Sequence, residues 1–148
     1  MRLKYIYFFI QNEYLFHLFH VPVAGSEEHK KIPTMVEVDA LVFETLASTI
    51  MASLAITVSI TTKERRFRAC FGTTAHICSQ LWSLCSHLLI AEGAMPVHLL
   101  WALLFLKQYN TEEVNASMAG CDEKTFRHWC WLVIGILANM ELVMCIVL

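Results

Sequence analysis

The chain has 148 residues, 57% of them apolar, with 13 acidic and 11 basic side chains and a net charge of −2. That length suits one domain with a proper core and is too short for a helical module joined to a separate catalytic fold. From Thr61 onward basic and acidic residues balance at seven each, which excludes a global basic field, so any polyanion contact must be local.

The first 39 residues read as a poorly defined segment and linker. Met1 to Gly25 is aromatic and apolar without period, and SEEHKKIP, Ser26 to Pro33, is a charged break. A secretory leader fits poorly, because Gln11, Asn12 and Glu13 interrupt the apolar run after Tyr5 to Ile10. From residue 40 to 148 the pattern predicts one all-α domain, a bundle of five or six helices. Ala40 to Ile60 places Phe43, Leu46, Ala47, Ile50, Met51, Leu54 and Ala55 at helical spacing. The β-branched run Ala55 to Thr62 could instead be extended, but a lone strand would lack a partner. A helix from about Thr61 to Cys70 should stop at Gly72, and Thr73 or Thr74 should cap the next. In that next helix Ile77, Leu81, Leu84, Cys85 and Leu88 form the expected apolar stripe, opposite Gln80, Ser83 and His87. Pro96 opens a helix whose body, Val97 to Leu106, is apolar nearly all round and therefore belongs at the centre of the bundle.

The stretch TEEVNASMAGCDEKTFRHWCW, Thr111 to Trp131, predicts two helices joined by a tight turn, a helix-turn-helix over about residues 111–138. Thr111 caps the first helix, Glu112 and Glu113 favour its dipole, and Gly120 ends it in a left-handed conformation. Asp122 caps the second helix. Winding that helix puts Phe126, Trp129, Cys130, Val133, Leu137 and Met140 on one side and Lys124, Arg127, His128 and Trp131 on the other. In a DNA-binding hairpin the second face meets the major groove, where Arg127 suits guanine and Lys124 a phosphate or guanine. The cluster Lys63, Arg65, Arg66 and Arg68 could grip backbone phosphates beside it. The plainer explanation of both is a solvated charged face.

These residues also carry a resemblance. Met95 to Trp131, MPVHLLWALLFLKQYNTEEVNASMAGCDEKTFRHWCW, resembles the helical region that precedes the catalytic domain of DDE-superfamily transposases of the PIF/Harbinger-like kind. RRFRACFGTT, Arg65 to Thr74, and QLWS, Gln80 to Ser83, are similar to the part before it, so that about Arg65 to Met140 is covered. The resemblance implies a nuclear or cytoplasmic protein that binds double-stranded DNA, or that associates with a full-length transposase or with itself. Transposition itself needs three carboxylates holding divalent metal ions. After Met140 only Glu141 and an apolar tail remain, and Glu112, Glu113, Asp122 and Glu123 are explained by helix starts. No catalytic residue carries over, and the expectation is a truncated copy that is not an enzyme, with no metal and no cofactor. His128 stands where such proteins more often have a basic residue, and Thr74-Ala75 where Ser-Pro is common. A neutral His128 weakens phosphate attraction at pH 7, and with the missing domain these departures suit a truncated or decaying copy with weak DNA affinity.

Six cysteines, at 70, 78, 85, 121, 130 and 145, form no CxxC pair, and Cys78 and Cys85 fall on helical faces where free cysteine behaves as a small hydrophobe. A zinc set of His76, Cys78, Cys85 and His87 has unsuitable spacing. A reduced intracellular protein fits the cysteines better. The alternative function is a small membrane-associated helical protein with a span near residues 40–60, followed by Lys63, Arg65 and Arg66 on the cytoplasmic side.

Overall fold

A computed structural model describes residues 37–147, and the expected linker at 26–33 and the aromatic segment before it lie outside them. The described chain is helical, as the periodicity predicts. It forms α1 (Ala40–Ile50), a single turn α2 (Ala52–Ala55), α3 (Ile60–Phe71), α4 (Ala75–Ala91), α5 (Pro96–Gln108), α6 (Glu112–Ala119) and α7 (Glu123–Val147).

Helix α1 starts where the Asp39 carboxylate accepts from the Leu41 N–H, and it buries Phe43, Ala47 and Ile50. The hydroxyls of Thr45, Ser48 and Thr49 donate to carbonyls of their own helix, those of Leu41, Thr45 and Leu46. The helix expected to run on to Ile60 breaks at Met51, whose backbone is extended, and after α2 the chain is non-helical until Ser59. The β-branched residues Ile56, Thr57 and Val58 crowd a helical backbone, and Ser59 offers a competing start by accepting from the Thr62 N–H. Helix α3 then runs to Phe71 and stops at Gly72, the stop that the sequence predicted, where φ of 79° is left-handed.

Thr74 caps α4 through the Ile77 N–H. The buried line of α4 is Cys78, Leu81, Trp82, Cys85, Ser86 and Leu89, rotated from the expected stripe: Leu81 and Cys85 belong to both, but Ile77 and Leu84 are half-buried and Leu88 is 41% exposed. Trp82 supplies the largest surface on this helix, and the face that hides it from water wins over the face richest in aliphatic residues.

Helix α5 packs against α1, α3, α4, α6 and α7. Residues 98–104 and Leu106 are all buried, on every side of the helix, which leaves it no face for water. Its first turn is closed by a histidine. Nδ1 of His98 accepts from the Met95 N–H at 3.0 Å, and the ring lies flat on Trp129 of α7, centroids 4.1 Å apart and planes 9° from parallel. Burial, reinforced by the nearby His128, pushes the His98 pKa down from 6.5 to about 4.

Among the described residues no single helix is long and apolar enough to cross a membrane. The stretch proposed as a span, residues 40–60, is divided between α1, α2 and a non-helical connection. Helices α4 and α5 pass the same test only as a pair bent by 112°.

Two outcomes follow from this core. Leu100→Ala, at a fully buried position of α5, should lower unfolding free energy by about 3 kcal/mol in urea titrations, the usual cost of a cavity that neighbours cannot refill. His98 binds a proton more readily unfolded than folded, so its contribution is complete above about pH 6.5 and is lost as pH falls toward about 4. Stability should drop by on the order of 3 kcal/mol across that window, and His98→Gln should flatten the dependence.

Candidate nucleic-acid interface

The hairpin is built as its caps dictate. Thr111 Oγ1 accepts from the Val114 N–H at 3.3 Å, with Glu112 and Glu113 in the first turn of α6. Gly120, at φ 72°, returns its N–H to the end of α6, and the Cys121 N–H reaches the Ala116 carbonyl. Asp122 then caps α7 twice, accepting from the Thr125 N–H at 3.0 Å and from its hydroxyl at 2.6 Å. Those bonds hold the Asp122 carboxyl below the usual carboxylate range. Only Gly120, Cys121 and the cap separate the two helices.

Helix α7 turns the expected face inward. Phe126, Cys130, Val133 and Leu137 are buried, Ile134 joins them, and Trp129 and Met140 are half-buried. Phe126 meets the rings of Trp101 and Phe105 on α5. Helices α5, α6 and α7 pack on one another in all three pairings, so the outer face of α7 is backed by a packed three-helix unit. On that outer face Lys124, Arg127, His128 and Trp131 are all exposed, the arrangement the winding of the sequence predicts.

The electrostatics of the strip are less simple than its exposure. Arg127 is engaged twice, Nε donating to Glu112 of α6 and Nη2 to Glu123 one turn earlier on α7. The other oxygen of Glu112 accepts from the Trp131 indole N–H at 3.0 Å, and the Trp131 ring meets the Phe105 ring edge-on at 5.6 Å. Hydrogen bonds from Trp131 and then Arg127 hold the Glu112 carboxyl below its ordinary value, and Glu112 holds the guanidinium above its own. Between Thr111 and Trp131 four carboxylates, Glu112, Glu113, Asp122 and Glu123, face two permanent cations, Lys124 and Arg127. Lys124 makes no ion pair among the described residues, and the His128 and Trp129 rings meet edge to face, centroids 4.9 Å apart.

The second basic cluster lies on α3, whose main packing is on α5 and α2, whereas α7 packs chiefly on α4, α5 and α6. The two clusters are thus not brought side by side by direct packing of their helices. Lys63 pairs with Glu44 of α1 at 3.1 Å, and Arg68 with Glu64 at 3.7 Å. Arg65 is exposed and Arg66 half-buried.

No metal-binding group of three or more His, Cys, Asp or Glu occurs among the described residues. In α4, Cys78 and Cys85 point into the core while His76 and His87 are exposed, so these four do not converge. Burial pushes the Cys85 and Cys130 thiols up to about 12, and Cys78, Cys70 and Cys121 also upward. Thiols so shifted are not poised as nucleophiles at neutral pH.

Two features escaped the sequence. The pair Glu123 and Arg127 is legible at i, i+4, but Glu112 lies 15 residues from Arg127 and 19 from Trp131, and no local spacing signals a contact between helices. His98 was hidden inside an apolar run, although three residues after Met95 it stands where a side chain can reach back to a helix start. Compared with known proteins, the chain matches no family model, no curated protein and no solved structure.

Proposed function

We propose that the chain is a transposase-derived, non-catalytic helical module that binds duplex DNA through the first turns of α7. Lys124, Arg127 and His128 would face the groove, and Arg65, Arg66 and Arg68 would serve as separate backbone contacts. The observation that carries this reading is the exposed strip Lys124, Arg127, His128 and Trp131 on a helix redirected by a left-handed Gly120 and capped by Asp122. A second helix so presented is how helix-turn-helix proteins reach base edges. The resemblance of Met95 to Trp131 to the transposase region supports the same role, with the nucleus as its setting. The net charge of −2 implies modest affinity, with a salt dependence set by the few local phosphate contacts.

A second reading, association with a full-length transposase or another copy of the chain, is favoured by the exposed apolar side chains Leu41, Val42, Ile56 and Ile60 on and between α1 and α3.

Fluorescence anisotropy of the full chain against random and genomic-fragment duplexes, over a series of salt concentrations, tests the first reading. Binding should weaken as salt rises, and Lys124→Ala combined with Arg127→Ala should weaken it by about tenfold or more and lower the salt slope by about 1 to 2, without loss of helicity. Unchanged binding by the double variant would remove α7 as the contact surface.

A further inference from the structure

The proposed DNA strip contains a carboxylate that is placed as a phosphate would be. Arg127 offers five N–H donors, and its Nε and Nη2 positions already hold oxygens of Glu112 and Glu123. The two carboxylates are not equivalent. Glu123 lies one turn from Arg127 on the same helix and keeps 46% of its side chain exposed, so solvent competes for it freely. Glu112 comes from the neighbouring helix and is only 22% exposed. Its second oxygen is fixed by the Trp131 indole N–H, and the Trp131 ring is braced by Phe105. Carboxylate and phosphate compete for a guanidinium through the same charge-assisted hydrogen bonds.

We infer that Glu112 is a built-in competitor of DNA, occupying Arg127 in the free protein so that a backbone phosphate must displace it before Arg127 can bind. This rests on the DNA-binding reading of α7. Glu112 opposes binding in two ways. It holds the guanidinium before the duplex arrives, and once displaced it remains as a negative charge beside the incoming phosphate. The strip is therefore tuned toward weak contact with the general DNA backbone, and a site must supply enough additional contacts to open the pair.

The test uses the full chain and a random-sequence duplex of about two helical turns at low salt. Glu112→Gln keeps a carbonyl oxygen for the Trp131 N–H and removes the charge, and it should bind about tenfold more tightly than the natural chain, whereas Glu123→Gln should gain less than about threefold. A second measurement follows the Trp131 indole N–H resonance of the natural chain during titration. It should move at saturation toward its position in free Glu112→Ala, because displacement of Glu112 frees that N–H. If the natural chain binds but Glu112→Gln binds no more tightly, or the Trp131 resonance stays in place at saturation, the competitor role is overturned and the DNA-binding reading stands. If neither the natural chain nor Glu112→Gln binds at low salt, the DNA-binding reading falls and the competitor role with it.

Discussion

Helix α5 cannot exist in water alone, and the arrangement of the other helices follows from that constraint. Leu99, Leu100, Ala102, Leu103 and Leu104 are all buried, and with Trp101 they cover every side of the helix. Each aliphatic side chain so hidden contributes roughly 1.5–3 kcal/mol relative to exposure, so the stable arrangement is one in which each of the other long helices lends α5 a face. Helices α1, α3, α4 and α7 do so with apolar stripes turned inward, and the short α6, which buries Asn115 and Ala116, also packs on α5. The hairpin of α6 and α7 is held by this contact as much as by its own turn, because Phe126 is clamped between α7 and the Trp101 and Phe105 rings.

The entry to α5 shows how a polar group is accommodated in that centre. His98 is almost entirely buried, yet its Nδ1 satisfies the Met95 N–H and its ring covers Trp129. Only the neutral imidazole can do both, since Nδ1 must accept, and protonation would place a donor against a donor and a charge in an apolar site. The same few residues thus close the start of α5 and join it to α7 through a contact that only the neutral imidazole can make.

On the outer side of the same turns of α7, polar contacts have a different logic. Glu112, Arg127, Glu123 and Trp131 link the start of α6 to the second turn of α7 through exposed charge-assisted bonds. Such bonds are readily exchanged with water, salt or another ion. They orient the outer face of α7 without making it rigid in the way the core is rigid. An arginine in that setting is at once a structural link and a reserve of positive charge, and which role dominates depends on what approaches it.

The local grammar of the chain was legible in the sequence because helix ends are set by nearest neighbours. Thr74, Thr111 and Asp122 as caps, Gly72 as a stop, Gly120 as a left-handed stop, Pro96 as an opener, and the inward and outward faces of α7 all follow from hydrogen-bond and torsional preferences within a few residues. The all-α class and the central place of α5 were legible for the same reason, since periodicity and its absence report how many sides of a helix must be covered. The break after Ile50 was half legible, since the β-branched run and the capping Ser59 favour stopping locally while the apolar stripe favours continuing the helix. Two things were decided only by tertiary structure. The face of α4 turned to bury Trp82, because the neighbours available to α4 determine which surface can be hidden. The engagement of Arg127 by Glu112 joins residues 15 apart on different helices, a contact that exists only once α6 and α7 have packed together on α5.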